Sequence, residues 1–268
     1  MEDTPSHHAF DATASGYDRI FTATRIGRRY RDVVWAELAR SFQAGDRVLE
    51  LGCGTGEDAV WLARRGVRVQ ATDSSEAMLD ATRRKAAAAG VEHLVATQQI
   101  ELGALETTRE LSGPFDGVLS DFGALNCVPD RRPTARALAG LVVPGGLVLI
   151  VVMGPICPWE MFWHLLHGEP VAAFRRLRQG APVRVADGQN VRVWYPSPRR
   201  LRQEFEPWFQ PLGLTAIGCF LPPPYLEHLE DTKPGLIRRL AALEPRWSRV
   251  FPFTWLADHF MLALERLR

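Results

Sequence analysis

Apolar and polar residues follow two distinct periods along this chain. Between residues 46 and 153, short continuous apolar runs recur, and longer stretches between them place apolar side chains every three or four positions. The short runs predict buried strands, and the longer stretches predict amphipathic helices that cover the strands. The strands are predicted at 46–51, 67–73, 93–99, 115–122 and 146–153.

Capping and turn residues mark the ends of these elements. Gly66 and Gly90 follow two helical stretches, as C-cap glycines do, and the turn residues at 112–114 and 144–146 precede the fourth and fifth strands. Strands that alternate with helices predict an α/β fold, in which a doubly wound, mostly parallel sheet is covered on both faces.

The segments that flank this core have other patterns. Residues 28–42 predict an N-terminal helix, and 159–178 predict an aromatic-rich helical segment after the fifth strand. Two alternating runs around Asp187 and Gly188 are typical of a hairpin. Further along, a helix is predicted at 197–209, a strand at 213–220 and a strand or helix at 257–267.

This pattern predicts one domain with four parts. We expect the segment after the fifth strand to be a lid, because it is rich in aromatic residues and interrupts the regular alternation. The parts are an N-terminal helical cap (1–44), a cofactor-binding core (45–153), an inserted lid (154–196) and the C-terminal part of the sheet (197–268) with a helical insertion (222–252).

Composition narrows the classes of partner. The 268 residues are 46% hydrophobic and 24% charged, and the net charge is +1, which offers no basic surface for nucleic acid or anionic lipid. The longest apolar run is broken by prolines and glycines, and the N-terminus lacks a signal sequence. We therefore expect a cytoplasmic protein with a small neutral partner, no nucleic acid and no membrane.

A glycine-rich loop follows the first predicted strand. Gly52, Gly54 and Gly56 allow the backbone to turn sharply and to approach a ligand without Cβ collisions. A dinucleotide-binding loop would have its third glycine at position 57, where this chain has Glu57. The loop is therefore better suited to a ligand that ends in a carboxylate than to a pyrophosphate.

An acidic residue ends the second predicted strand. Asp73 lies 19 residues after Gly54, at a position where an acid in this topology accepts hydrogen bonds from ribose hydroxyls. The two features together predict a nucleoside ligand without phosphate.

At this point the sequence resembles the class I S-adenosylmethionine-dependent methyltransferases of the small-molecule type. Their acid-x-G-x-G-x-G loop is matched by residues 50–56, their ribose-binding acid by Asp73, and their F-D-x-x-A-x-x-Y-D segment by "FDATASGYD". The resemblance implies a Rossmann-like sheet of seven strands, S-adenosyl-L-methionine as cofactor and S-adenosyl-L-homocysteine as product. It also implies a small-molecule methyl acceptor.

The resemblance assigns cofactor binding to the loops at the ends of the strands. Tyr17 is expected to close over the cofactor, and the residues after the third strand are expected to flank the adenine. The predicted cofactor-binding residues are Tyr17, Glu50, Gly52, Cys53, Gly54, Gly56, Asp73, Ser74, Met78, Gln99, Ile100, Ser120, Phe122 and Leu125.

Four residues are candidates for acid–base work at the acceptor. Asp121 and Asn126 follow the fourth strand, near the expected methyl group, although strand-end hydrogen bonding would also explain them. His164 and His167 lie three apart on one predicted helix face, which an ordinary amphipathic surface would also explain. With Glu160 they resemble a metal-binding face, but the spacing is not that of known zinc motifs, so no metal is predicted.

Two other functions remain open from the residues alone. One is an S-adenosylmethionine-binding partner protein without catalysis, and the other is an NAD(P)-dependent oxidoreductase, which Glu57 opposes. The aromatic lid favours a hydrophobic acceptor. The sequence leaves open whether O, N or C is methylated, and whether the protein is a monomer or a homodimer.

Overall fold

A computed structural model describes residues 10–11, 14, 16–108, 111–178, 180–184 and 190–268. The residues 1–9 of the predicted cap, and the predicted hairpin turn at Asp187 and Gly188, lie outside the described residues. The strands are β1 (Arg47–Leu51), β2 (Arg68–Asp73), β3 (Val95–Gln99), β4 (Phe115–Ser120), β5 (Val142–Met153), β6 (Ala181–Arg184), β7 (Asn190–Val193), β8 (Phe209–Ile217) and β9 (His259–Arg266).

The helices alternate with the strands through the first half of the chain, as predicted. They are α1 (Tyr17–Ile20), α2 (Arg25–Ser41), α3 (Glu57–Ala63), α4 (Glu76–Ala88), α5 (Arg132–Leu141), α6 (Pro158–Leu166), α7 (Pro170–Ala173), α8 (Pro198–Phe205), α9 (His228–Thr232) and α10 (Pro234–Trp247). Among the described helices, none has the length and apolar character needed to cross a bilayer.

Seven strands form one sheet in the order β3-β2-β1-β4-β5-β9-β8. Strands β1 to β5 pair in parallel, while β9 pairs antiparallel with both β5 and β8. This confirms the predicted Rossmann-like, mostly parallel sheet of seven strands. The strand order reverses between β1 and β4, so their carboxyl ends open the crevice in which such folds bind ligands.

The sheet is buried on both faces because its central strands are rich in apolar residues. Leu49 and Leu51 of β1 belong to one core cluster and Val48 to the other, as the alternation of side chains across a strand requires. On the Val48 face, α2 packs through Ile26, Tyr30 and other residues spaced four apart. This helix therefore lies directly beside the crevice.

Element ends differ from the predicted ones for local reasons. Helix α2 begins three residues earlier than predicted, because the Thr24 side chain caps it by accepting a hydrogen bond from the Gly27 amide. Strand β5 starts at Val142, ahead of the predicted turn glycines, and its pairing with β4 shifts register between Phe115 and Gly117. Gly145 accommodates this irregularity with a φ of 82°.

Candidate functional site

The glycine loop between β1 and α3 has a conformation that side chains would disturb. At Gly52, where φ is 70°, an added Cβ would lie 2.3 Å from the Ala124 Cβ. At Gly54, where φ is 53°, an added Cβ would have only the Tyr17 ring near it, at 4.0 Å. The fold therefore requires Gly52, whereas Gly54 keeps space open in the crevice.

The Asp73 carboxylate organises this loop from the end of β2. Its Oδ2 accepts a hydrogen bond from the Gly54 amide at 2.9 Å, and its Oδ1 accepts one from the Ser75 amide at 3.0 Å. Burial raises the pKa of Asp73, and the two amides act in the opposite direction. The carboxylate thus lies on the cavity wall with lone pairs still free for a ligand's hydroxyl groups.

A cavity of about 370 Å³ lies at the carboxyl ends of β1, β2, β3 and β4. The N-terminal segment and the β6–β7 hairpin complete its wall. Ten of the residues that the sequence analysis selected line it: Tyr17, Gly52, Cys53, Gly54, Asp73, Ser74, Met78, Ile100, Asp121 and Phe122.

The other selected residues do not line this cavity. Gln99 donates to the Ser74 carbonyl at 2.9 Å, Gly56 packs against Thr82, and Leu125 is part of the core. Their assigned roles at the cofactor or the acceptor stay predictions. The set consists of Glu50, Gly56, Gln99, Ser120, Leu125, Asn126, His164 and His167.

A buried cluster of charge lies at one end of the cavity. Arg31 of α2 donates from Nη1 to the Asp58 carboxylate and lies 3.5 Å from Asp121 Oδ2. Asp58 also accepts a hydrogen bond from Trp35 Nε1 at 2.6 Å. Burial raises the pKa of Asp58, but Arg31 and these hydrogen bonds outweigh it and hold the pKa below its usual value. Asp58 is therefore the carboxylate that neutralises Arg31.

Glu50 lies beneath the same cluster and has unused hydrogen-bonding capacity. It is fully buried, and neither of its carboxyl oxygens has a hydrogen-bond partner. Burial, followed by the nearby Asp58 charge, raises the pKa of Glu50 well above its usual value. Burial and Asp58 do the same to the pKa of Asp121.

Together the cluster offers both signs of charge to a ligand. Oxygens of Glu50, Asp58 and Asp121 lie within 4.8 Å of one another, a spacing that would also suit a metal ion. The Arg31 guanidinium already supplies positive charge there, so the cluster suits a ligand with both an ammonium and a carboxylate group.

Aromatic rings surround the space next to this cluster. Phe122 has a φ of 41°, which is uncommon for a residue with a side chain, and its ring is 4.8 Å from the Phe21 ring. Tyr17 lines the cavity from α1, and burial raises its pKa to about 12. A cationic centre in this space would be attracted to the aromatic faces.

Arg31 was not among the site residues predicted from the sequence, although its position on the helix indicated that it is buried. Arg31 lies three residues before Val34 and four after Gly27, so it belongs to the buried stripe of α2. An arginine on the buried face of an amphipathic helix needs a partner inside the fold. Here the partner is the acidic cluster.

Lys85 changes the interpretation of Glu57. Its Nζ lies 2.9 Å from Glu57 Oε2 and 2.9 Å from Asp18 Oδ2, and Asp18 accepts a hydrogen bond from Thr55. The negative charge of Glu57 is therefore compensated. A pyrophosphate near this loop would be repelled less than the sequence alone predicted. The same contacts hold the N-terminal segment against the glycine loop.

The candidates for acid–base work lie in different surroundings. Asp121 lines the cavity, whereas the Asn126 side chain is fully buried and bonded to backbone groups of Met153 and Trp194. His164 Nδ1 lies 2.6 Å from Glu169 Oε2, and His167 Nδ1 lies 2.8 Å from the Trp163 carbonyl oxygen.

Glu160 does not join these histidines in a metal site. It is buried and accepts hydrogen bonds from Arg175, Arg176 and Tyr225. Glu160 thus has different partners from His164 and His167, although the three residues share the spacing of a metal-binding face.

Comparison with known proteins gives consistent results for the core of this chain. Residues 48–146 match the family described as Methyltransferase domain. A demethylmenaquinone methyltransferase of Clavibacter sepedonicus is 33% identical over 141 residues, which cover 53% of this chain and 55% of that protein. The chain thus spans about half the length of this curated relative.

Two other proteins match nearly the whole chain. A tRNA 5-carboxymethoxyuridine methyltransferase of Escherichia coli (strain K12) is 27% identical over 266 residues, covering 96% of this chain and 95% of that protein. The structure of the CcbJ methyltransferase from Streptomyces caelestis superimposes with a TM-score of 0.64 at 19% identity, covering 99% of this chain and all of that one. At that identity the structure shows the likeness of the fold alone.

Proposed function

We propose that the chain carries a class I S-adenosylmethionine-dependent methyltransferase domain and that it transfers the cofactor's methyl group to a small-molecule acceptor in the cytoplasm. The observation that carries this proposal is the cavity of about 370 Å³, which holds the glycine loop, Asp73 and the Arg31 cluster on one continuous wall. The proposal retains the predicted N-terminal cap at residues 1–44 and the predicted lid at residues 154–196.

The residues present fit the cofactor at both of its ends. Asp73 and the free space at Gly54 would hold the ribose, and Met78 and Ile100 supply apolar surface for the adenine. Arg31 would bind the carboxylate of the methionine end. Asp121 on the cavity wall, and the buried Glu50 beneath it, whose oxygens have no hydrogen-bond partner, would bind its ammonium group.

When bound, the cofactor would supply a methyl group on a sulfonium sulfur, so that an acceptor lone pair could bond to the methyl carbon in line as the carbon–sulfur bond breaks and S-adenosyl-L-homocysteine leaves. The chain contributes orientation and exclusion of water. Phe122 and Tyr17 place aromatic surface beside the expected sulfonium position, next to the Arg31 cluster. Phe122 follows β4 with a left-handed φ of 41°, and its ring lies 4.9 Å from the guanidinium carbon of Arg31 on α2.

Asp121 is the acid–base candidate that the cavity wall contains. Burial and the Asp58 charge raise its pKa well above the usual value, which favours the protonated form, whereas a base must be ionised. An acceptor atom that carries no proton needs no base. Asp121 is therefore proposed first as a binding group and second as a base.

An apolar acceptor suits the far wall of the cavity. Val128, Pro129, Val191 and Val193 line it, together with Met153 at the end of β5. Pocket walls of this kind bury small organic ligands rather than a hydrated backbone of phosphates. The wall supports a hydrophobic small molecule, but of the predicted lid it contains only Val183, Val191 and Val193, and none of the aromatic residues at 159–178 lines the described cavity.

A tRNA acceptor is the second candidate. It is supported by the Escherichia coli relative, whose name specifies a tRNA nucleoside and which matches 96% of this chain. Proteins that bind RNA usually carry many positive charges to neutralise its phosphates, and the net charge of this chain is +1, so its charge does not support a tRNA acceptor.

Transfer of labelled methyl from S-adenosylmethionine into an extract of the source cells tests the proposal. We expect label in the small-molecule fraction, where mass spectrometry would then identify the acceptor. Label in RNA or protein would contradict the small-molecule class but keep the enzyme. Cofactor binding without transfer into any fraction would favour the non-catalytic alternative.

A further inference from the structure

The β6–β7 hairpin presents two chemically different faces. Val183 pairs with Val191, and Ala181 pairs with Val193, so these four side chains lie on one face. Val183, Val191 and Val193 line the cavity, while Arg184 and Arg192 lie on the exposed face between them. The described strands of the hairpin thus turn aliphatic side chains towards the cavity.

Asn126 attaches this hairpin to the sheet. Its side-chain Nδ2 donates to the Trp194 carbonyl at 2.7 Å and to the Met153 carbonyl at 3.1 Å, and its Oδ1 accepts from the Met153 amide at 2.9 Å. Its backbone carbonyl accepts from the Trp194 amide at 2.8 Å. One buried side chain therefore joins the loop after β4, the end of β5 and the end of β7.

The attachment lies on the side of the cavity away from Asp73. Asp73 ends β2 and Met153 ends β5, and the sheet order places β1 and β4 between them. Neighbouring strands are about 4.8 Å apart, so three spacings separate the two ends by roughly 14 Å. The ribose position and the hairpin attachment are thus at opposite sides, with the Phe122 ring on the wall between them.

We propose that the hairpin, held in place by Asn126, is the wall that selects the acceptor, and that it admits an uncharged apolar group and rejects a carboxylate. This inference rests on the proposed function, because it assumes that the cofactor occupies the Asp73 side. Among the described residues that line the cavity, Arg31 is the cationic one, and the proposed function assigns it to the carboxylate of the cofactor. A carboxylate against the valines would be desolvated without a partner.

Two probes of nearly equal size test the selection. 4-Methylphenol and 4-hydroxybenzoate differ by a methyl group against a carboxylate. Each is titrated into the wild-type protein saturated with S-adenosylhomocysteine, and the valine methyl signals are followed by NMR. We expect 4-methylphenol to shift the Val191 and Val193 signals, and 4-hydroxybenzoate to bind at least roughly tenfold more weakly.

Three results would overturn the inference. The first is that the Val191 and Val193 signals do not respond to 4-methylphenol, and the second is that the two probes bind equally well. The third is that S-adenosylhomocysteine alone produces the full shift of the Val191 and Val193 signals. The last result would mean that the hairpin covers the cofactor. Failure of S-adenosylhomocysteine to bind at all is a different outcome, since it contradicts the proposed function rather than the role of the hairpin.

Asn126→Asp tests the attachment with almost no change in shape. A carboxylate cannot donate to the Trp194 and Met153 carbonyls, so we expect affinity for 4-methylphenol to fall by roughly tenfold while affinity for S-adenosylhomocysteine is kept. Gln203→Glu, an amide-to-acid change at an exposed position of α8, is the matched control. Equal losses for both ligands would identify Asn126 as a general structural residue, and no loss for either would remove it from the proposal.

Val191→Lys is a second variant that gives the opposite selection. A cation on the inner face of the hairpin would pair with the carboxylate, so affinity for 4-hydroxybenzoate should rise above the wild-type value. If it does not rise in a variant that still binds S-adenosylhomocysteine, Val191 does not contact the acceptor.

Discussion

The Arg31 guanidinium lies over the Phe122 ring, with 4.9 Å between the guanidinium carbon and the ring centre. Both residues line the cavity, one from α2 and the other from the loop after β4. This contact joins the charged end of the site to its aromatic part. It therefore places recognition of the methionine end beside the position where the methyl group would be transferred.

Arg31→Lys tests carboxylate recognition. Lysine keeps the charge but lacks the planar fork that binds a carboxylate through two hydrogen bonds, so affinity for S-adenosylmethionine should fall by about tenfold or more. Decarboxylated S-adenosylmethionine is the control ligand, and its affinity should change little. Calorimetric titration of both ligands decides the matter, because equal losses for the two would show that Arg31 does not bind the carboxylate.

Gly54→Ala should impair binding more than stability. The left-handed backbone at Gly54 costs an alanine about 1 kcal/mol, and the added Cβ would project into the cavity near Tyr17. Gly90→Ala is the matched control, with a φ of 69° and no atom within 4 Å of the added Cβ. Both variants should lose similar free energy of unfolding in urea, but only Gly54→Ala should lose cofactor affinity. Similar affinity in the two would show that the ligand does not approach Gly54.

Cofactor binding should release protons from Glu50. Burial raises the pKa of Glu50 well above its usual value, and an arriving ammonium group would lower that pKa again, so binding shifts Glu50 towards its ionised form. The calorimetric heat of binding at pH 7 should then differ between buffers with different ionisation enthalpies. The difference should be smaller in Glu50→Gln. A heat that is the same in every buffer would contradict this role.

The raised pKa of Glu50 has a second consequence, for the free protein. The native state binds more protons than the unfolded chain above the unfolded pKa of about 4.3, so this group makes stability fall as pH rises from there towards the folded pKa. Urea midpoints measured across this range should fall less steeply in Glu50→Gln than in the wild type. The same slope in both would show that Glu50 is ionised in the free protein.

A second buried network should make the fold sensitive to acid. Asp258 contacts Arg176 at 2.6 Å, and Arg176 also pairs with Glu160 at 2.7 Å. Burial raises the pKa of Asp258, but His259 and Arg176 outweigh it and hold the pKa well below its usual value. A depressed pKa contributes stability above the unfolded pKa of about 3.9, and this stability is lost as pH falls further.

Asp258→Asn should therefore lower the urea midpoint at neutral pH and flatten its dependence on pH below about 4. Removing one partner of a buried ion pair costs about 3–5 kcal/mol, so the neutral-pH loss should be large. Asp130→Asn, at an exposed ion pair with Arg132, is the control and should change little. Equal effects of the two substitutions would contradict a special role for the buried network.

Local pattern was enough to predict strands β1 to β5, of which β1, β2, β4 and β5 end at or next to a glycine or an acid, whereas the count of seven strands rested on the family resemblance. Local pattern was also enough for the loop at Gly52 and Gly54 and for Asp73, all of which line the cavity. Arg31 was missed because its partners Asp58 and Asp121 are 27 and 90 positions away in the sequence, and only the packing of α2 brings them together.

The direction of side chains was harder to predict than their position. Asn126 follows β4 as expected, but its amide bonds to Trp194, which is 68 residues further along the chain. His164 and His167 share a helix, yet their ring nitrogens bond to Glu169 and to the Trp163 carbonyl. Spacing along a helix shows which residues share a face, and tertiary packing decides where that face points.

The most direct test of the account is the affinity of Asp73→Ala for S-adenosylmethionine, measured by calorimetry beside Asp80→Ala, a control at an exposed acid of α4. Loss of hydrogen bonds to a carboxylate should cost about 1.5–3 kcal/mol, so binding should weaken by roughly 10- to 150-fold. Asp80→Ala should bind as the wild type does. Unchanged affinity in Asp73→Ala would contradict the placement of the cofactor in this cavity.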